Sequence, residues 1–272
     1  MPRLIPAIVS FVLITGCGGA DPVDRPPVTE TTEIAPVVFT SETVMSESDD
    51  CDDESSRCAR VEVATVATHG GGTEETRDNI DLFVMHDLIS RLRSFVPEEI
   101  GNPLTHPQDL ADAFIAQYRA FIEEWPESAG GWFVKIDTGV VYNTGAVCTL
   151  CISERAYTGG AHPNSRQRLV SFDVGTGQLL GVNDLTRDPA ELARMATQRL
   201  RIDHDLEPDG DLATAGFWIP EGGLELPDNV GVVGDGLLIH WDPYEIAPYS
   251  MGPIDVIIPV DDLRSISDRR DW

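Results

Sequence analysis

Apolar and polar positions alternate every second residue over residues 60–68, with Val61, Val63 and Thr65 on one side and Glu62 and Ala64 on the other. That is the period of a half-buried strand. The period then lengthens. Over residues 74–95, Met85, Leu88, Leu92 and Phe95 recur at helical spacing, and Leu110, Phe114, Tyr118, Phe121 and Trp125 do so behind Pro107, a residue suited to a first helical turn. Period two returns in residues 132–136, 140–143, 147–156 and 168–174, and Gly175-Thr176-Gly177 predicts a hairpin turn into residues 178–182. Asp188 as N-cap, Pro189 at the first helical position and Glu191 close behind predict a third helix. Strand patterning resumes in residues 230–233, 237–241 and 254–258, with a turn or short helix over residues 261–266. Helices that interrupt runs of adjacent strands predict an α+β fold of mainly antiparallel sheets with three principal helices packed on them.

The first 57 residues carry neither period. Arg3 followed by a predominantly apolar run of eleven residues, 4–14, has the layout of a signal peptide, about half the roughly 20 residues a membrane span needs. Ile14-Thr15-Gly16-Cys17 ends it with the small-small-Cys pattern of a bacterial lipoprotein cleavage site. Residues 1–16 are therefore expected to be removed and Cys17 to be lipidated, since acyl chains hold a domain on a membrane at about 0.8 kcal/mol per buried CH2. Residues 17–57 read as an acidic linker rich in Pro, Thr, Ser and Glu, unable to support a core. No second apolar run is long enough to span a membrane, which places everything after Cys17 on one side of it, facing the periplasm or the exterior.

Charge narrows the partners. Losing Arg3 leaves 18 basic against 46 acidic residues, a net −28 on the mature chain. Nucleic acid is excluded as a partner, and a cationic partner is favoured on encounter rate. Catalytic and metal motifs are weak. His69-Gly70-Gly71-Gly72 looks like an esterase oxyanion loop, but the chain has no G-x-S-x-G elbow to supply its nucleophile. Gly175 and Gly177 lack the third glycine of a dinucleotide loop, and the six histidines show no zinc-ligand spacing. No catalytic residue, cofactor or metal is expected.

Removing Cys17 from five cysteines leaves Cys51, Cys58, Cys148 and Cys151, enough for two disulfides in an exported setting. Cys148 and Cys151 lie three residues apart on one strand, which separates their Cα atoms by roughly 10 Å and points them to opposite faces, beyond the roughly 7 Å a bridge allows. Cross-links from Cys51 and Cys58 to that strand are one arrangement, and a local Cys51–Cys58 loop is the other.

A run of motifs in the second half carries more identity. Tyr157-Thr158-Gly159-Gly160-Ala161-His162 ends a strand, followed by Phe172-Asp173-Val174-Gly175-Thr176-Gly177-Gln178 and Asn183-Asp184-Leu185. Later come Gly236-Leu237-Leu238, the stretch from Trp241 through Tyr244, Glu245, Pro248, Tyr249 and Met251 to Gly252, and then Ile258-Pro259 and Leu263. This order resembles the RsiV-type domain, a family of unknown general function found at the C-terminus of lysozyme-sensing anti-sigma factors. The resemblance covers residues 150–267, and the preceding strand-helix-helix segment is similar to a PdaC-type domain. It implies residues 58–145 as a PdaC-like subdomain, 146–268 as the RsiV-type domain and 269–272 as a tail. Anti-sigma factors of this kind also carry a sigma-binding segment and a membrane helix, and some relatives a deacetylase domain; this sequence carries none of these, which leaves the exported binding module. The implied function is non-catalytic binding at the cell envelope, to a cationic lysozyme-like hydrolase or to peptidoglycan glycan. Tyr157, His162, Tyr244, Pro248, Tyr249 and Met251 are the candidate contacts, with residues 242–252 as the binding edge. An envelope hydrolase using His162 or Glu245, and a purely structural lipoprotein, are the competing readings.

Overall fold

The alternation of residues 59–70 does form a strand, and the partner on its outer side comes from a segment whose composition reads as linker. The computed structural model describes residues 33–48, 51, 57–128 and 130–269, so the expected signal peptide and Cys17 lie outside the described residues. In chain order the elements are β1 (Val38–Glu47), β2 (Ala59–Gly70), α1 (Glu74–Arg93), α2 (Glu98–Gly101), α3 (Pro107–Glu124), β3 (Trp132–Asn143), β4 (Val147–Tyr157), β5 (Asn164–Asp173), β6 (Leu179–Leu180), α4 (Val182–Leu185), α5 (Pro189–Asp203), β7 (Val230–Val233), β8 (Gly236–Trp241), β9 (Ile254–Pro259) and α6 (Val260–Leu263). Strands β1 to β6 follow one another across a single sheet and β7 to β9 across a second. All pairs are antiparallel except β2 with β3, which run parallel because α1, α2 and α3 cross between them. The fold is α+β, with α1, α3 and α5 as its three long helices.

Two cores result. Val61, Val63, Val134, Ile136, Leu150, Ile152 and Phe172 line one face of the large sheet and meet Ile80, Val84 and Leu88 of α1 and Leu110, Phe114 and Tyr118 of α3. Leu192, Ala196 and Leu200 of α5 bury against Leu237, Ile239 and Trp241 of β8 and Ile254, Val256 and Ile258 of β9. β4 belongs to both: Cys148 and Leu150 enter the first core, while Val147 enters the second. Where the sheets meet, the Thr149 and Ser171 hydroxyls bond each other at 2.8 Å and the Val232 amide donates to Ser171 Oγ at 3.1 Å. The boundary expected at residues 145/146 falls between paired strands β3 and β4, and the described residues form one compact unit.

Other expectations are corrected by particular contacts. The buried stripe of α1 runs through Thr76, Ile80, Val84, Leu88 and Leu92, so Leu88 and Leu92 face the core as expected and Phe95 packs against it, while Val84 takes the place expected for Met85, which is 40% exposed. Residues 132–143 form one strand with a bulge between Val140 and Tyr142, so the polar Asp137-Thr138-Gly139 stretch does not interrupt it. The strand after Gly177 is only Leu179–Leu180, because Val182 already starts α4. Cys51 is bonded to Cys58, so the local loop forms, and Cys148 and Cys151 remain thiols rather than cross-linking to it. Those two point to opposite faces of β4, Cys148 into the first core and Cys151 toward Asp255. Burial pushes the Cys148 thiol up to about 12, which keeps it protonated and inert.

β1 corrects the linker. It pairs with β2 along its whole length, and its N-terminal end is fixed where Asn143 Nδ2 donates to the Val37 carbonyl at 2.7 Å and the Gly72 amide to the Ala35 carbonyl at 2.8 Å. Gly71 sits under this entry with φ 64°, and a Cβ there would run into the Pro36 carbonyl. Left-handed backbone costs a non-glycine residue about 1–2 kcal/mol and overpacking about 1–3, so Gly71→Ala is expected to lose about 2–4 kcal/mol. Urea midpoints of the two chains check this, and a loss under about 0.5 kcal/mol, the level of a neutral surface substitution, would show that β1 docks without that fit.

Candidate functional site

Sheet edges carry unpaired backbone groups, and β6 covers β5 only at Ser171 and Phe172. Further along β5, side chains take over. Asn229 Oδ1 accepts from the Leu169 amide at 2.8 Å while its Nδ2 donates to the Gln167 carbonyl at 2.7 Å, and Asp242 Oδ1 accepts from the Gln167 amide at 2.8 Å. The edge so capped borders a cleft of ≈ 730 Å3 between α1, β5, the approach to β7 and the start of the 242–252 loop.

Its floor is an ionic network. Asp87 and Arg91 lie one helical turn apart on α1, and Arg91 Nε donates to Asp87 Oδ2 at 2.5 Å. Arg91 Nη1 reaches Glu154 Oε2 of β4 at 3.2 Å, and Arg168 Nη1 of β5 donates to Asp87 Oδ1 at 2.9 Å while its guanidinium lies over the Phe83 ring at 5.0 Å. Side-chain exposure is 13% for Arg91, 8% for Asp87 and 10% for Glu154. Both Asp87 oxygens already accept from a guanidinium, so this arrangement braces α1 against the sheet rather than offering a free base.

Beside the cleft, His240 on β8 is 1% exposed and bonded on both ring nitrogens, to Asp255 through Nδ1 at 2.6 Å and to Asp242 through Nε2 at 3.1 Å. Burial works against the charged imidazole, but the hydrogen bonds and charges of Asp242 and Asp255 outweigh it and raise its pKa from 6.5 to about 9. At neutral pH His240 is thus an imidazolium that joins β8, β9 and the 242–252 loop.

The loop itself gathers aromatic side chains. The His162 and Tyr249 rings stack with centroids 3.8 Å apart, and Tyr244 leans on Tyr249 at 5.5 Å. Tyr249 also donates through its hydroxyl to the Pro163 carbonyl at 2.9 Å, tying the loop to the segment before β5. Tyr244 stands outermost, 55% exposed, at φ 75°. Glu245 follows it, and its carboxylate accepts from the Asp242 amide at 2.7 Å.

Of the expected contacts, His162, Tyr244 and Tyr249 therefore come together. Pro248 precedes the turn that carries Tyr249, and Met251 packs partly buried against the second core. Tyr157 lies apart: its ring stacks on Phe133 and its hydroxyl donates to the Gly160 carbonyl at 2.9 Å. His162 and Glu245, the competing catalytic pair, each engage backbone, His162 Nδ1 lying 3.0 Å from the Pro163 carbonyl. Sequence reasoning missed Asp87, Arg91, Glu154, Arg168, His240 and Asp255. Glu154 carried a readable signal, as the one charge in the core-facing series Cys148, Leu150, Ile152, Glu154, Ala156.

Residues 183–261 match the family described as protein of unknown function, DUF3298. The peptidoglycan-N-acetylmuramic acid deacetylase PdaC of Bacillus subtilis is 20% identical over 214 residues, which span 78% of this chain and 42% of PdaC, less than half of that relative. A DUF3298 protein from Bacteroides fragilis superposes with a TM-score of 0.67 at 15% identity, covering 86% of this chain and 94% of its own. Another from Pseudomonas aeruginosa PAO1 gives 0.59 at 19%, covering 85% and 94%. This chain thus carries a DUF3298 domain in residues 183–261 and shares its larger fold with DUF3298 proteins of known structure.

Proposed function

We propose that this chain is an exported, lipid-anchored binding module without catalytic activity, and that its 242–252 loop takes a cationic partner of the lysozyme type at the cell envelope. The observation that carries this reading is the outward Tyr244, braced from behind by the stacked Tyr249 and His162 rings. A non-glycine residue held at positive φ is strained by about 1–3 kcal/mol, and such strain is kept where a side chain must be aimed. Its ring offers a face for arginine or lysine side chains, and Glu245 and Asp255 beside the loop supply carboxylates for the same groups. The strong net negative charge, −27 over the whole sequence, favours encounter with such a partner. The distant likeness to PdaC, whose name concerns peptidoglycan, supports placing the chain at the envelope.

Titration of the full chain with a c-type lysozyme at low and high salt tests the reading. Binding is expected to persist at high salt and Tyr244→Ala to weaken it by about tenfold or more, as for a central interface aromatic. Tyr244 is the residue to change because Tyr249 also holds the loop in place. Absence of binding by the unaltered chain, binding that vanishes with salt, or indifference to Tyr244→Ala would overturn it; binding to peptidoglycan fragments through the same tyrosine would instead make the loop a glycan site.

A further inference from the structure

On the face of the large sheet turned away from α1 and α3, alternation along β3 and β4 sets Phe133 and Lys135 beside Arg155 and Tyr157. They line a cleft of ≈ 440 Å3 that Arg60 and Glu62 of β2 complete. The Phe133 and Tyr157 rings stack 6.3 Å apart at 30°, and the Arg155 guanidinium lies over Phe133 at 5.6 Å. Lys135 is the only lysine in the sequence, and it stands directly opposite Arg155 in the strand register. Like charges in that position destabilise a strand pair, and this chain has few cations to spend on one. Lys135 has two acidic neighbours: Glu62, opposite it across the β2–β3 register and already 3.6 Å from Arg60, and Asp137, at 3.7 Å with both side chains about half exposed, an ion pair that a ligand displaces at little cost.

We infer that this cleft binds an acidic glycan. A sugar carboxylate bridges Lys135 and Arg155 and relieves their repulsion, the guanidinium taking it through parallel hydrogen bonds. The C–H face of a pyranose ring lies on Phe133 and Tyr157, and Glu62 and Asp137 accept hydrogen bonds from sugar hydroxyls. Those two carboxylates favour a hydroxyl-rich ligand over an acidic peptide, whose further carboxylates they would repel. The volume falls within the range of small-ligand sites. The acidity of the whole chain does not forbid this, because at physiological salt charges beyond about 8 Å are largely screened. This site shares no ligand contact with the loop reading, so either can fail alone.

Because Lys135 carries the only side-chain amine, its acylation by an amine-selective reagent, mapped to its peptide in the full chain, reports occupancy directly. Two probes separate the sources of the carboxylate: trigalacturonate against its methyl ester, and N-acetylglucosaminyl-N-acetylmuramic acid against chitobiose. At ligand about ten times its Kd, labelling by the acidic member is expected to slow about tenfold. The neutral member should leave the rate unchanged, and Arg155→Gln and Phe133→Leu should each remove the protection while circular dichroism stays that of the unaltered chain. Protection by only one acidic probe assigns the sugar. No protection by either at millimolar concentration, equal protection by the neutral twins, or protection that survives Arg155→Gln overturns the proposal.

Discussion

Arg91→Met is expected to lower the stability of the chain by about 3–5 kcal/mol, the cost of leaving buried charges without their partner. Two carboxylates lose a donor at once: among the described residues Asp87, 8% exposed, keeps Arg168, and Glu154, 10% exposed, keeps no ion pair. Guanidinium denaturation of the variant measures the loss. A second variant separates the charge from the packing: Arg91→Met with Asp87→Leu and Glu154→Leu removes the charges together, and replacement of a whole buried network by apolar groups of similar size is often neutral or better. Recovery of most of the loss in that triple variant is expected. If the single variant loses under about 1 kcal/mol, the value of an exposed pair, the network is solvated and does not brace α1.

Raising the pH from 7 to 10 should remove about 2.5 kcal/mol through His240 alone. Its folded-state pKa of about 9 exceeds the unfolded value of 6.5, so the folded chain holds the proton more tightly. The stabilisation is fully present below pH 6.5 and is lost as pH rises through 9. The size follows from the 1.36 kcal/mol carried by each unit of difference. Stability measured against pH should therefore fall between pH 7 and 10 in the unaltered chain and stay nearer level in His240→Gln, which keeps a polar side chain for Asp242 and Asp255. Parallel profiles for the two chains would mean that His240 is neutral in the fold and that the two carboxylates do not hold its proton.

Most elements of this fold were legible because burial on one face writes a period into the sequence. Val61 and Val63 on β2, the capped start of α5 at Asp188, and the β8 and β9 series follow that rule. β1 escaped it because it is an edge strand whose residues, apart from Phe39, Val44 and Ser46, are exposed; its backbone ladder holds it more than buried apolar area does, and Glu42 and Glu47 give it the charge of a protected edge. The loop aromatics were readable as a cluster of unusual residues between two prolines, but not which of them turns outward, since that depends on the left-handed Tyr244. Apart from Glu154, a charge in a core-facing series, the ionic floor and the His240 bridge were not readable, because their members come from α1, β4, β5, β8 and β9 and meet only through tertiary packing. Glu62, Lys135 and Arg155 escaped for the same reason, each looking in isolation like a solvated face.

β4, walled by a core on either side, makes this a chain with no safe place to cut. Separating it from β3 would expose two long strand edges, each a template for pairing with other chains, and would open both cores together. Unfolding therefore has little reason to proceed half by half: the two cores share one wall, and a loss of order in β4 is transmitted to both as a single cooperative event.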